Sequence, residues 1–122
     1  MARVLVADDE PDLLALVRST LELAGHEVVT ASDGAEAVRM AVSSSPDAVV
    51  LDIMMPLLDG LTALRQLRQG PRTQSIPVLL LSAKAGVIDI ELGMKAGAAG
   101  YITKPFSPAD LVAEVGRITS GG

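Results

Sequence analysis

Cysteine and tryptophan are absent from this chain, and aromatic residues make up only 2% of its 122 residues. Without cysteine the chain has no disulfide, no thiolate metal site and no thiol nucleophile. With so few aromatic residues, the core must be packed with aliphatic side chains and methionine. No apolar run approaches the ~20 residues that a membrane span needs. The net charge is -5 and no basic run occurs, which argues against direct binding to nucleic acid.

The length is that of one domain with a core of its own. We see no linker, repeat or second domain, so we expect residues 1–122 to form one domain with a frayed tail at 120–122. The first residues lead directly into a strand-like run, and no signal peptide is visible. We therefore expect a cytoplasmic protein with no membrane partner.

Short β-rich runs alternate with helical patterns along the chain, which favours βα units and a parallel sheet. The predicted strands are residues 3–7, 27–31, 47–51, 77–81 and a segment within 97–103. Helical spacing predicts a buried stripe on the first helix, at Leu14, Val17, Leu21 and Ala24, and another on the second, at Ala37, Val38, Ala41 and Val42. Ser107 is expected to cap the last helix. The segment 83–96 is poorly patterned and is expected to contain the fourth helix.

Charged and polar side chains follow these strands: Asp8, Asp9, Asp52, Ser82 and Lys104. In an open parallel sheet, groups that follow the strands converge on one edge, where ligands bind. Carboxylates gathered there repel one another unless a cation intervenes, and Mg²⁺ prefers such ligands. Asp52 can then attack phosphorus as a nucleophile, while Lys104 and Ser82 stabilise the phosphoryl oxygens.

With these residues in view, the chain resembles the receiver domain of bacterial two-component response regulators over nearly all its length. The segments that carry the resemblance are VLVADDEP (4–11), LDIMMP (51–56), DG (59–60), LSA (81–83), AGA (96–98) and YITKPF (101–106). The resemblance implies an α/β fold, a single-domain (βα)5 flavodoxin-like three-layer sandwich with parallel sheet order 2-1-3-4-5.

The resemblance also implies roles for the acidic residues. Asp52 would accept a phosphoryl group from a histidine kinase or a phosphotransfer protein. Asp9, Asp52 and the backbone carbonyl of Met54 would be Mg²⁺ ligands, with Asp8 acting through water. No organic cofactor is implied. Such a protein is a signalling switch rather than a metabolic enzyme, because it catalyses only its own phosphorylation and dephosphorylation.

Further roles follow from the same resemblance. Lys104 would contact the phosphoryl group, and the bond between Lys104 and Pro105 would be cis. Ser82 and Tyr101 would be the switch pair, which remodels the face formed by the fourth helix, fifth strand and fifth helix for a downstream protein or output domain. Whether the chain also forms a homodimer through that face is left open by the sequence.

Two departures from the family pattern stand out. In the fourth helix, the position expected to face inward carries Glu91, while Val87, Ile88 and Ile90 fall on outward or ambiguous positions. The helix is therefore rotated or shortened, shows an apolar patch, or has been assigned the wrong register. Met54 occupies a position that flanks the path of the hydrolytic water in the family, and its bulk predicts slow loss of phosphate.

Three other functions suit these residues less well than the switch. A haloacid-dehalogenase-like phosphatase needs a second Asp two residues after the nucleophile, where this chain has Met54. A flavin or nucleotide module would need glycines and N–H donors after the first strand, whereas Asp8, Asp9 and Glu10 would repel a phosphate. A degenerate receiver that only docks a partner remains the alternative. Whether the chain acts alone or within a longer regulator also stays open.

Overall fold

The structure is a computed structural model that describes residues 2–120, and strands and helices alternate throughout that range. The strands are β1 (Arg3–Ala7), β2 (Glu27–Ala31), β3 (Ala48–Asp52), β4 (Val78–Ser82) and β5 (Gly100–Thr103). The helices are α1 (Pro11–Leu23), α2 (Gly34–Ser44), α3 (Gly60–Gln69), α4 (Val87–Lys95) and α5 (Pro108–Thr119). The third and fourth strands begin and end one residue later than predicted, so Asp52 and Ser82 are the last residues of their strands.

All strand pairs are parallel, and the sheet order is β2-β1-β3-β4-β5. The predicted flavodoxin-like three-layer sandwich is therefore confirmed. Every residue of β3 and β4 is buried, because helices cover both faces of the sheet. One core cluster lies between the sheet and α2 and α3, and the other between the sheet and α1 and α5.

Side-chain caps mark where several helices begin. Ser107 accepts a hydrogen bond from the backbone N–H of Asp110 at 3.0 Å, which confirms the predicted cap of α5. Asp59 likewise caps α3 through the N–H of Thr62 at 2.9 Å. Ser120 is the C-cap residue of α5. The rest of the predicted tail, residues 121 and 122, lies outside the described residues.

Two of the residues predicted to be buried are exposed. Ala24 is exposed because it follows the last residue of α1 as its C-cap, outside the helix that packs on the sheet. Val42 is 41% exposed, because it lies in the last turn of α2, about 100° around the helix from the buried Ala41. The stripes therefore end earlier than their periodicity predicts.

Helix α4 differs most from expectation. Glu91 is exposed, so the prediction that its position faces inward is wrong, and Gly93 is the buried residue of the helix. A Cβ on Gly93 would lie 2.8 Å from Leu80 Cδ1 and 3.2 Å from Tyr101 Cδ2, so α4 contacts the sheet through its own backbone. Other positions of the helix expose apolar residues: Val87, Ile88, Leu92 and Met94. Between residues 2 and 120, no helix has the length and apolar character needed to cross a bilayer.

Candidate functional site

An acidic cluster lies at the edge of the sheet where β1 and β3 end. Asp8 and Asp9 follow β1, and Asp52 ends β3, whose register pairs Leu51 with Ala7. One carboxylate oxygen from each of these three aspartates lies within 4.8 Å of the others. Asp8 and Asp52 are buried, whereas Asp9 is exposed. The cluster therefore consists of two carboxylates shielded from water, those of Asp8 and Asp52, and one exposed to solvent, that of Asp9.

Asp8 is the least satisfied member of the cluster. Its Oδ1 accepts a hydrogen bond from the N–H of Glu10 at 2.9 Å, but its buried Oδ2 has no hydrogen-bond partner among residues 2–120. Burial raises the pKa of Asp8 from 3.8 to about 6, and the nearby charge of Asp52 acts in the same direction. A hard cation shared by these oxygens would relieve both costs, so the donor set fits a divalent ion such as Mg²⁺.

Asp52 is held by a partner at each carboxylate oxygen. Its Oδ1 accepts a hydrogen bond from the N–H of Met54 at 3.2 Å, and its Oδ2 accepts one from Lys104 Nζ at 2.9 Å. The same ammonium lies 3.7 Å from Asp8 Oδ2. Lys104 directly follows β5, and its backbone N–H donates to the carbonyl of Ser82 at 2.8 Å. The bond between Lys104 and Pro105 is cis, which confirms the expectation drawn from the resemblance.

Ser82 and Tyr101 are joined through the main chain of one residue. The fully buried Ser82 Oγ accepts a hydrogen bond from the N–H of Lys84 at 3.0 Å, and the Tyr101 hydroxyl donates one to the carbonyl of Lys84 at 2.8 Å. The sequence drew attention to Ser82 and Tyr101 but not to this connection. The only sequence signal for this connection is that Ser82 lies two residues before Lys84, a spacing at which side chains commonly form hydrogen bonds with the backbone.

This arrangement gathers three carboxylates and an ammonium at one edge of the sheet, with the hydroxyl of Ser82 at the end of the neighbouring strand, and these are the groups that phosphoryl chemistry requires. The family model described as the response regulator receiver domain matches residues 4–116. The chain belongs to this family. As a receiver domain it is a signalling module of two-component systems, and the flavodoxin-like fold described above is the family's architecture.

Proteins similar to this chain include full-length regulators and solved receiver domains. The transcriptional regulatory protein PrrA of Mycobacterium tuberculosis is 50% identical over 113 residues, which cover 93% of this receiver domain and 48% of PrrA. The Francisella response regulator 1452 receiver domain is 34% identical with a TM-score of 0.93, covering 99% of this chain and 98% of that one. The chain thus spans about half the length of the curated relative it matches.

A second similar structure contains the metal that the acidic cluster suggests. It is the receiver domain of the sensor histidine kinase PA1611 from Pseudomonas aeruginosa, with a magnesium ion coordinated in its active site cleft. That domain is 31% identical to this chain with a TM-score of 0.90, and the match covers 98% of both chains.

Proposed function

We propose that this receiver domain accepts a phosphoryl group on Asp52 from a histidine kinase or a phosphotransfer protein, in the presence of Mg²⁺. The observation that carries the proposal is the position of Lys104 Nζ, 2.9 Å from Asp52 Oδ2 and 3.7 Å from the buried Oδ2 of Asp8, an oxygen that accepts no hydrogen bond within residues 2–120. An acidic cluster alone could be a solvated surface feature. A buried carboxylate that contacts an ammonium, beside a second buried carboxylate able to bind a metal ion, is suited to receive an anionic group.

Asp52 acts as the nucleophile. One of its carboxylate oxygens forms the bond to phosphorus, the bond from phosphorus to the donor's imidazole nitrogen breaks, and the electron pair stays with the imidazole. The N–H of Met54 and the ammonium of Lys104 orient the carboxylate before transfer. Lys104 then stabilises the negative phosphoryl oxygens, and Ser82, whose Oγ accepts a hydrogen bond from Lys84, can still donate its own proton to one of them.

The metal-binding residues in this proposal are Asp8, Asp9, Asp52 and the backbone carbonyl of Met54. When bound, Mg²⁺ neutralises charge on the incoming phosphoryl oxygens. The printed description of the PA1611 receiver domain supports the choice of ion, and the orphaned oxygen of Asp8 supports the position. Since Asp9 is exposed, it can rotate toward the ion at little cost.

The switch would pass from Ser82 to Tyr101 through Lys84. A phosphoryl oxygen that accepts a hydrogen bond from the Ser82 hydroxyl draws Ser82 toward Asp52. This movement disturbs the hydrogen bond from the Lys84 N–H to Ser82 Oγ. The Lys84 carbonyl holds the Tyr101 hydroxyl, so movement of this peptide frees the ring. The face of α4, β5 and α5 would thereby change for a downstream protein, an output domain or a second copy of the chain.

The domain's role in a longer protein is also part of the proposal. PrrA is a transcriptional regulatory protein about twice as long as the matched segment, which supports control of an output region. We do not expect this domain itself to bind nucleic acid, because its net charge is -5.

The proposal is tested by labelling with acetyl phosphate, a small donor that needs no partner protein. We expect Mg²⁺-dependent labelling of the parent chain and none of Asp52→Asn. Asp59→Asn is the matched control, because Asp59 caps α3 outside the cluster and asparagine caps helices equally well. Labelling that persists in Asp52→Asn would assign the acceptor elsewhere. No labelling of the parent would favour the alternative, a degenerate receiver that only docks a partner.

A further inference from the structure

The loop between β3 and α3, which begins directly after Asp52, contains a strained residue. Leu57 has a φ of 66°, in the left-handed region that leucine disfavours because its Cβ crowds the following carbonyl. The N–H of Leu58 donates to the carbonyl of Pro56 at 2.7 Å, which closes a γ-turn of the rare, positive-φ kind. The Leu57 side chain is 86% exposed, so no burial offsets the cost.

Contacts on both sides keep this turn from relaxing. The N–H of Gly60 donates to the carbonyl of Ile53 at 2.9 Å, which brings the two ends of the loop together at Asp52. The carbonyl of Leu58 packs against Gly34 so closely that no Cβ would fit there. The strained conformation is therefore imposed by the fold around the loop.

The loop divides its apolar residues between core and solvent. Met55 and Leu58 pack against the core, whereas Met54 is 60% exposed and Leu57 86% exposed. Glycine or asparagine would adopt the backbone of Leu57 at lower cost. What leucine adds at this position is an apolar side chain in solvent on the loop that follows Asp52, and strain retained near a site is a reason to infer function.

We propose that Leu57 is a specificity-determining contact for the protein that delivers the phosphoryl group to Asp52. The loop begins directly after Asp52, so a donor protein that brings a phosphohistidine to that carboxylate must cover the rim. Leu57 would then pack against an apolar patch of the donor and be desolvated. A small donor enters the cleft without touching this side chain. The inference rests on the proposed function of Asp52.

The test compares two donors on a variant that keeps the turn. Leu57→Asn removes the apolar side chain, and asparagine tolerates the left-handed region. Leu23→Asn is the matched control, because Leu23 is 90% exposed at the end of α1 that leads to the start of β2, opposite the cleft. The donors are acetyl phosphate and, from a panel of purified autophosphorylated histidine kinases, the one that labels the parent chain fastest.

We expect Leu57→Asn to slow transfer from the kinase by about tenfold, as for the loss of one apolar anchor. Labelling by acetyl phosphate should change less than about twofold, a small fraction of that effect. Leu57→Met, which keeps an apolar side chain, should restore transfer from the kinase. The Tm of Leu57→Asn should equal or exceed that of the parent, because the strain is relieved.

Three outcomes would overturn the inference: unchanged transfer from the kinase in Leu57→Asn, an equal loss in Leu23→Asn, or equal slowing with both donors. A lower Tm for Leu57→Asn would contradict the argument from strain. Failure of the proposed function is distinguishable from these, because acetyl phosphate would then not label the parent chain.

Discussion

Replacing Asp8 by asparagine should stabilise the metal-free domain. Asp8 is 1% exposed, and burial holds its pKa at about 6, compared with 3.8 for the free group. At 1.36 kcal/mol per pKa unit, the ionised carboxylate costs about 3 kcal/mol at pH 7. The asparagine carbonyl can still accept the hydrogen bond from Glu10. We therefore expect Asp8→Asn to raise the free energy of unfolding in EDTA by about 2 to 3 kcal/mol.

The pH dependence has a definite sign. The folded-state pKa of Asp8 lies above the unfolded value, so the contribution of the protonated carboxyl is fully present below about pH 3.8 and is lost as the pH rises through about 6. The advantage of Asp8→Asn over the parent should therefore shrink as the pH falls from 7 toward 4. Urea denaturation in EDTA at a series of pH values measures it.

Magnesium should stabilise the parent more than it stabilises Asp8→Asn. An ion that binds only the folded state stabilises it by mass action, and Asp8→Asn should gain less from Mg²⁺ than the parent. Asp9→Asn is the control, since Asp9 is an exposed member of the same cluster. Its stability in EDTA should lie within about 0.5 kcal/mol of the parent, while its gain from Mg²⁺ also falls. If Asp8→Asn in EDTA at pH 7 were no more stable than the parent, our electrostatic reasoning would be refuted.

Three other substitutions test separate parts of the structure. Gly93→Ala should cost about 1 to 2 kcal/mol in urea denaturation, because the new methyl would meet Leu80 and the Tyr101 ring and push α4 outward. Unchanged stability would show that α4 moves outward without a cost in free energy. Arg68→Lys should cost about 1 to 3 kcal/mol, because the guanidinium donates to carbonyls after α3 and after α4, at 3.2 and 3.1 Å, and one ammonium cannot reach both. Full stability of this variant would make those bonds dispensable. Met54→Asn should shorten the half-life of the phosphorylated form severalfold, measured by loss of label, since Met54 is exposed beside Asp52. An unchanged half-life would remove the idea that Met54 hinders water.

The sheet and its functional edge could be predicted because their signals are long and mutually consistent. Continuous apolar runs such as Ala48–Leu51 and Val78–Leu81 predict central strands buried on both faces. In parallel strands, the residues that follow these runs meet at one edge. Asp52 and Ser82 therefore lie where the sequence predicts, although each belongs to its strand rather than to the loop after it.

Helix α4 could not be predicted from periodicity because it does not bury an apolar stripe. It spans nine residues and contacts Leu80 and Tyr101 through the backbone at Gly93. A glycine that allows close approach leaves no hydrophobic signal, so the apparent register placed Glu91 inward. Val87 and Ile88 are exposed because the helix is rotated relative to that register.

Main-chain features of the site also escaped prediction. The link from Ser82 to Tyr101 uses the N–H and carbonyl of Lys84, whose side chain has no part in it. The positive φ of Leu57 is equally hidden, because leucine is a residue that does not favour it. Both depend on how the loops are held by the completed fold rather than on local sequence preference.

The measurement that tests the central claim most directly is identification of the modified residue. After incubation with acetyl phosphate and Mg²⁺, borohydride reduction converts a phosphorylated aspartate to homoserine, which tandem mass spectrometry locates in the sequence. Our account predicts homoserine at position 52 and its disappearance when Mg²⁺ is chelated. Homoserine at position 8 or 9, or at position 52 regardless of Mg²⁺, would contradict it.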